Sequence, residues 1–266
     1  MTMVRTPPPP LPVRDKTSPR TLTPMLTRLA EECATGILIR EHGTLHLAEG
    51  RVIHAESSLS PGLDVLLTAH GTLAPAAWQR AAARSAGPLQ AAELLLARGL
   101  LPTGALELCH LDMLYDAGYF ALAPSSTPGR FRYAEAPRTG PLPSVPLLAL
   151  ERETLRRRLL LHRLWPDPVT DGAPLVRTDP ATAGAPITPR QRAVLDRVDG
   201  VRTAVAIARN LGRQAFHTLV DVRRLAAAGH VIPAPRAPVP PPLPPPPVTN
   251  PDIALLKRLR DALEAL

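Results

Sequence analysis

Aromatic residues, cysteine and lysine are all scarce in this 266-residue chain. Because aromatic residues make up only 3% of the sequence, the hydrophobic cores must be built mainly from Leu, Val, Ile and Ala. The two cysteines, Cys33 and Cys109, lie far apart and in no CxxC pair, which excludes a disulfide framework. No apolar run approaches the roughly 20 residues that span a bilayer, so we predict a cytoplasmic protein with no membrane partner.

The sequence also lacks the short motifs that mark common catalytic and cofactor sites. It contains no GxGxxG after a predicted strand, no phosphate-binding GxxxxGK, no HExxH and no GxSxG. His46 and His54 lie on neighbouring predicted strands, but zinc needs two further ligands and the nearby sequence supplies none, which favours surface histidines. We therefore predict a protein that is not an enzyme and that has no metal and no cofactor.

Proline and arginine, by contrast, are abundant. Proline accounts for 34 residues, concentrated in 7–12 and 233–247, where the missing N–H groups favour extended chain. Lys16 and Lys257 are the two lysines, so 31 basic residues less 2 leaves 29 arginines in a chain of net charge +8. GC-rich codon usage and a polyanionic partner both explain this bias, and only the location of the charge distinguishes them.

These composition shifts divide the chain into six segments. They are a Pro-rich basic tail at 1–20, an α+β domain at 21–136, a linker at 137–186 with a long helix at 147–165, a three-helix domain at 187–233, a Pro-rich linker at 234–249 and an amphipathic helix at 250–266. The predicted fold class is therefore α+β, with an N-terminal antiparallel β-meander, C-terminal helices and Pro-rich tails.

The N-terminal domain begins as a meander and continues as helices. Short apolar or alternating runs separated by Gly-containing turns predict strands at 36–40, 44–48, 51–55 and, later, 130–134. Helical patterns follow the third strand, at 62–70, 75–84, 88–98 and 102–120, and Pro75, Pro88 and Pro102 stand at helix starts. Because at least one face of such a sheet is apolar, we expect the helices to cover it.

This domain resembles the PATAN-like domain, a bacterial domain found in regulators. The residues that carry the resemblance are TGILIREHGTLHLAEGRVIHAE, PGLDVLLTAHG and GRFRYAEA, within 23–135. The resemblance implies a role in protein interaction or dimerisation.

The segment 187–233 reads as helix, short break, helix, glycine turn, helix, glycine and strand. Thr188 and Thr203 are predicted N-caps, and Gly212 is predicted to end the second helix. The stretch ITPRQRAVLDRVDGVRTAVAIARNLGRQAFHTLVDVRRLAAAGHVIP resembles MarR-type winged-helix regulators, in particular an actinobacterial group. It departs from that pattern after Ile232, where prolines replace a second wing strand.

The resemblance implies that the third helix, at 213–228, is a recognition helix whose start enters the major groove of duplex DNA. The residues assigned to DNA binding are Arg213, Gln214, His217, Thr218 and Arg224. Between Arg190 and Arg224 there are eight Arg and three Asp, a local positive surplus. The predicted function is thus a transcriptional regulator, and the alternative is a protein-interaction scaffold or signalling adaptor that does not bind DNA.

The last helix carries an apolar stripe. Leu256, Leu259, Leu263 and Leu266 recur at intervals of 3, 4 and 3 residues, as in a coiled coil. A helix this short is marginal alone, so we expect it to bind a protein partner or a second copy of the chain.

Overall fold

The computed structural model describes residues 24–69, 71–134, 142–178, 186–235 and 253–265. The helices are α1 Pro24–Glu31, α2 Leu63–Thr68, α3 Pro75–Ala82, α4 Pro88–Ala97, α5 Thr103–Ala121, α6 Leu147–Leu164, α7 Val169–Gly172, α8 Pro189–Leu195, α9 Ala204–Leu211, α10 Ala215–Ala227 and α11 Ile253–Glu264. The strands are β1 Gly36–Arg40, β2 Gly43–Ala48, β3 Arg51–Glu56, β4 Arg130–Tyr133, β5 Val145–Pro146, β6 Leu175–Arg177 and β7 Val231–Pro233. The predicted tail 1–20, almost all of the Pro-rich linker and Leu266 lie outside the described residues. The predicted α+β class is confirmed.

The N-terminal sheet is an antiparallel meander extended at both edges. Its strand order is β4-β1-β2-β3-β5, which confirms the three predicted meander strands and the predicted late strand beside them. Glu49 and Gly50 both have positive φ, 50° and 73°, as the tight turn between β2 and β3 requires. The edge strand β5 was not predicted, because it falls within the proposed linker. Val145 pairs with Val52 there and is itself buried.

Helix α5 lies against the sheet and is shared by two hydrophobic cores. One side of α5 packs on the sheet through Leu114, Ala117 and Ala121. Another side packs on α2, α3 and α4 through Leu106 and Met113. All four predicted helices between β3 and β4 form, with Pro75 and Pro88 in the first turn of α3 and α4. Helix α5 therefore contacts both the sheet and the helices α2, α3 and α4.

The three helices predicted in 187–233 are confirmed as α8, α9 and α10. Thr188 opens α8 with a capping box, since its hydroxyl accepts from Gln191 N at 3.2 Å and Gln191 Oε1 accepts from Thr188 N at 2.8 Å. Thr203 accepts from Ala206 N at 3.3 Å at the start of α9, and Gly212 ends it in the left-handed conformation, with φ of 61°. The helix order is as predicted, and membership of the winged-helix class stays a prediction.

The prediction of an irregular linker is wrong for the second half of 137–186, as it is at β5. Residues 169–177 form α7 and β6, and β6 pairs antiparallel with β7 through Val176 and Ile232. Leu175 is fully buried in this two-stranded sheet, which explains why the segment is ordered. The strand predicted after the third helix therefore has a partner that precedes the helices in sequence.

The N-terminal and C-terminal modules are not separate bodies. Tyr119 and Phe120 of α5 and Leu161 of α6 lie in the same core as the buried residues of α8, α9 and α10. The rings of Tyr119 and Phe216 have centroids 5.4 Å apart. The described residues up to Ala234 form one compact unit, and those after it, with α11, form a second unit that is described by itself.

Candidate functional site

Helix α10, the predicted recognition helix, is buried on most of its surface. Ten of its 13 residues are buried, including polar residues on the side assigned to DNA. Thr218 is 1% exposed, and its hydroxyl donates to the carbonyl of Gln214 at 3.2 Å. The assignment of Thr218 to a DNA-facing surface is therefore wrong, because α5, α6 and α7 also pack against this helix.

The start of α10, which would enter a DNA groove, instead meets a buried carboxylate. Asp116 of α5 is 1% exposed and accepts from Ala215 N at 2.7 Å and from Phe216 N at 2.8 Å. Its Oδ2 also accepts from the Ser60 hydroxyl at 2.9 Å. Asp116 thus satisfies the free N–H groups of the first turn of α10, which are the groups that a phosphate would otherwise bind.

Arg213, Gln214 and His217 are brought together, but in a cleft between the two modules. The cleft has a volume of about 580 Å³ and is also lined by Cys109 and Asp112 of α5. Burial lowers the pKa of His217, and the positive charges of Arg190 and Arg157 lower it further. One guanidinium nitrogen of Arg213, Nη1, is buried without a hydrogen-bond partner. A duplex major groove is read by a protruding helix, whereas these side chains lie in a recess.

Charged residues along the rest of α10 form structural ion pairs. Asp221 is buried and accepts from Arg190 Nε at 2.6 Å. Arg223 is buried and holds Asp171 of α7 through two hydrogen bonds of 2.8 and 2.6 Å. Arg224 alone of the five predicted DNA-binding residues is exposed. Two of the eight arginines in this region, Arg190 and Arg223, therefore attach α10 to its neighbours.

Three histidines, contributed by β2, β3 and α5, form a cluster. Sequence reasoning placed His46 and His54 on neighbouring strands but missed His110. The ring centroids of His46 and His54 are 5.5 Å apart, and those of His54 and His110 are 6.2 Å apart with the rings nearly parallel. The surface location predicted for His54 is wrong, because it is buried, and His110 is 0% exposed. Among the described residues, no group of His, Cys, Asp or Glu side chains is arranged to hold a metal ion.

Burial, and to a lesser extent the neighbouring His54, lower the pKa of His110 to about 4. The backbone of Ile53 and Pro143 acts in the opposite direction, but more weakly. Neither ring nitrogen has a partner at hydrogen-bond distance and angle. Native His110 is therefore uncharged at neutral pH, because no nearby anion repays the desolvation of its charged form.

We expect the free energy of unfolding to fall by about 2 kcal/mol between pH 7 and pH 5 because of His110 alone. The unfolded state takes up a proton near pH 6.5, while the folded state stays neutral until about pH 4. Stability is therefore fully present above pH 6.5 and declines as the pH falls towards 4. Urea unfolding at both pH values measures the difference. His110→Leu should reduce this dependence and His42→Gln should not, whereas an equal pH dependence in wild type and His110→Leu contradicts the argument.

A pocket of about 510 Å³ lies beside this cluster, within the N-terminal part of the structure. Its wall comes from the end of β3, the segment 60–64, the α3–α4 region and α5. The polar residues in the wall include His54, Glu56, Ser57 and Ser85, and Trp78 contributes an indole ring. Sequence reasoning did not find this site, since its residues are scattered between positions 54 and 117.

Helix α11 exposes the predicted leucine stripe. Leu256, Leu259 and Leu263 are 52%, 54% and 71% exposed, and Leu255 beside them is 55% exposed. On the polar side Arg260 pairs with Asp261 at 2.8 Å and with Glu264 at 3.7 Å. Leu266, the fourth predicted member of the stripe, lies outside the described residues. None of the described helices has the length and apolar composition needed to cross a membrane.

Comparison of the chain with protein-family models, with curated proteins and with solved structures finds no match. The resemblances to the PATAN-like domain and to winged-helix regulators accordingly stay predictions.

Proposed function

We propose that this protein is a protein-interaction adaptor whose terminal helix α11 binds in an apolar groove of another protein. The observation that carries the proposal is the exposure of four neighbouring leucines on a helix of 12 residues. Amphipathic helices use this spacing of anchors when they bind in a groove of a partner. A helix about 18 Å long is marginal alone, so contact with a partner would stabilise it.

The charges of α11 indicate the chemistry of the partner. Lys257 and Arg258 form no ion pair within the described part of the chain, while Arg260 is paired inside the helix. Acidic side chains on the rim of the partner's groove would therefore favour binding of α11. A second copy of this helix fits less well, because the stripe is shorter than the three to four heptads of a stable coiled coil.

Regulation of transcription through α10 has less support than the adaptor role. Thr218 is buried, Asp116 occupies the start of the helix, and the side chains of Arg213 and Gln214 line a cleft. Binding of a duplex by α10 would require the two modules to separate, which would expose the core that they share. The cost of exposing Tyr119, Phe120 and Phe216 opposes that opening.

We expect Leu259→Asp to reduce partner binding at least tenfold, because a charge in the centre of the stripe would be buried without a counter-ion. Ala265→Asp adds the same charge one residue after the end of α11, outside the leucine stripe, and should leave binding nearly unchanged. The measurement is cross-linking and affinity purification with the full chain, followed by titration of the purified partner. A synthetic peptide of residues 250–266 should compete for the same groove.

Four outcomes would overturn the proposal. Equal loss of binding in both variants would show that an added charge disrupts binding whether or not it lies in the leucine stripe. Concentration-dependent self-association that Leu259→Asp abolishes would identify a homodimer, and binding to anionic vesicles would identify a lipid surface. Salt-dependent binding to duplex DNA that Arg213→Ala weakens would restore the regulator function.

A further inference from the structure

The pocket beside His54 offers mainly hydrogen-bond acceptors, because the serine and histidine donors of its wall already have partners. Ser57 donates to the carbonyl of His42 at 2.5 Å, and Ser85 donates to that of Ala81 at 2.8 Å. Ser60 donates to Asp116 at 2.9 Å. His54 Nε2 and Glu56 Oε1 are 3.0 Å apart, so a neutral His54 that donates to Glu56 has no further N–H to offer. A ligand that supplies hydrogen-bond donors would therefore suit this pocket.

The charge of the pocket wall points in the same direction. Glu56 and Asp64 are the acidic residues of the wall, and no Arg or Lys is among the residues that line it, although the chain has a net charge of +8. The hydrogen bond with His54 holds the pKa of Glu56 below its ordinary value, so this carboxylate is ionised at neutral pH. The start of α4, at Gly87 and Pro88, adds at most about half a positive charge, which two carboxylates outweigh.

The rest of the pocket wall is suited to the apolar part of a small-molecule ligand. Trp78, Leu63 and Met113 contribute apolar surface, and Pro61 and Pro88 add rigid edges. The volume of about 510 Å³ lies within the range of small-molecule sites, which are mostly apolar with a few polar groups that orient the ligand. An indole ring also attracts a cation placed over its face.

We propose that this pocket binds a small organic amine, with its protonated nitrogen towards Glu56 and Asp64 and its apolar body against Trp78. The site is distinct from α11 and does not depend on the adaptor role. An anionic ligand of the same size would be repelled by the two carboxylates and would find few free donors. The chemistry therefore favours protonated aryl- or alkylamines over nucleotides, organic phosphates or carboxylic acids.

The experiment uses 2-phenylethylamine as the probe and 3-phenylpropionate as its anionic counterpart. In the full chain with Trp165→Phe, Trp78 is the one remaining tryptophan, and its fluorescence reports on the pocket. We expect saturable binding of the amine that is at least tenfold tighter than binding of the acid. Equal or tighter binding of 3-phenylpropionate, or no saturable response to the amine, would overturn the proposal.

Two variants locate the binding in this pocket. Glu56→Gln should weaken amine binding about fivefold or more, because it removes a charge-assisted hydrogen bond. Glu41→Gln is the matched control, since Glu41 is exposed and bonds to Ser125 away from the pocket. Ala82→Phe should abolish binding by filling the pocket from an exposed position, and thermal unfolding checks that each variant is folded. Unchanged affinity in both Glu56→Gln and Ala82→Phe would also overturn the proposal.

Discussion

Replacement of Asp116 by alanine should lower the free energy of unfolding by about 4 kcal/mol. Asp116 is a buried carboxylate on α5 that accepts from the first two N–H groups of α10 and from Ser60. Removing it leaves three donors without an acceptor in an interior that water does not reach. Each unsatisfied buried donor costs about 1–3 kcal/mol, and the first turn of α10 loses its cap as well.

Burial raises the pKa of Asp116, while its donors and Arg157 act in the opposite direction. Urea unfolding at neutral pH measures the expected loss as a lower midpoint with an unchanged slope. Asp112→Ala is the matched control, because Asp112 lies one turn earlier on α5 and is exposed. Asp116→Asn should be intermediate, since it retains one acceptor but turns an amide donor towards another N–H. A shift in Asp116→Ala no larger than that in Asp112→Ala would contradict the role of this carboxylate.

Replacement of Arg223 by methionine should lower the free energy of unfolding by about 3 kcal/mol. The Arg223 side chain of α10 is buried and holds both carboxylate oxygens of Asp171. It also donates to the carbonyl of Leu161 at 3.1 Å and to that of Trp165, which ties the end of α6 to α10. Methionine replaces the apolar stem but leaves Asp171 and two carbonyl groups without their partner.

The neighbouring Arg224 provides a matched control, because it lies on the same helix and is exposed. We expect Arg224→Met to change stability by less than about 0.5 kcal/mol, as is usual for an isolated surface residue. Arg223→Lys should recover only part of the loss, since an ammonium group does not reproduce the two-pronged contact with a carboxylate. Equal midpoints for Arg223→Met and Arg224→Met in urea unfolding would contradict a stabilising role for the buried hydrogen bonds of Arg223.

The contact of Asp116 with the start of α10 and the burial of Arg223 both count against DNA binding by this helix. Arg223 and Arg224 are adjacent and identical in type, so the sequence alone does not show which one is solvated. The helix pattern places Thr218 and Asp221 outside the apolar stripe, and both are buried in the structure. They are buried because α10 packs against α5, α6 and α7, in addition to α8 and α9. A helix inside several layers requires polar partners on the side that would face solvent in an isolated module.

Local chemistry predicted most of the secondary structure. The Gly50 turn, the prolines at the starts of α3 and α4, the Thr188 and Thr203 caps and Gly212 act within a few residues of the chain. Such signals can be read from sequence because they depend on backbone conformation and nearby hydrogen bonds. β5 and β6 escaped prediction because each is only two or three residues long and is stabilised by a strand distant in sequence.

The sequence by itself determined the α+β class, the order of the main helices and the leucine stripe of α11, because periodicity and capping act over short distances. Only the tertiary structure decided that Asp116 meets the start of α10, that His54 stacks on His110 and that Glu56 and Trp78 share a pocket. Each of these pairs joins residues that are between 22 and 99 positions apart. Burial and electrostatics at such sites depend on which surfaces meet, and no local pattern encodes that choice.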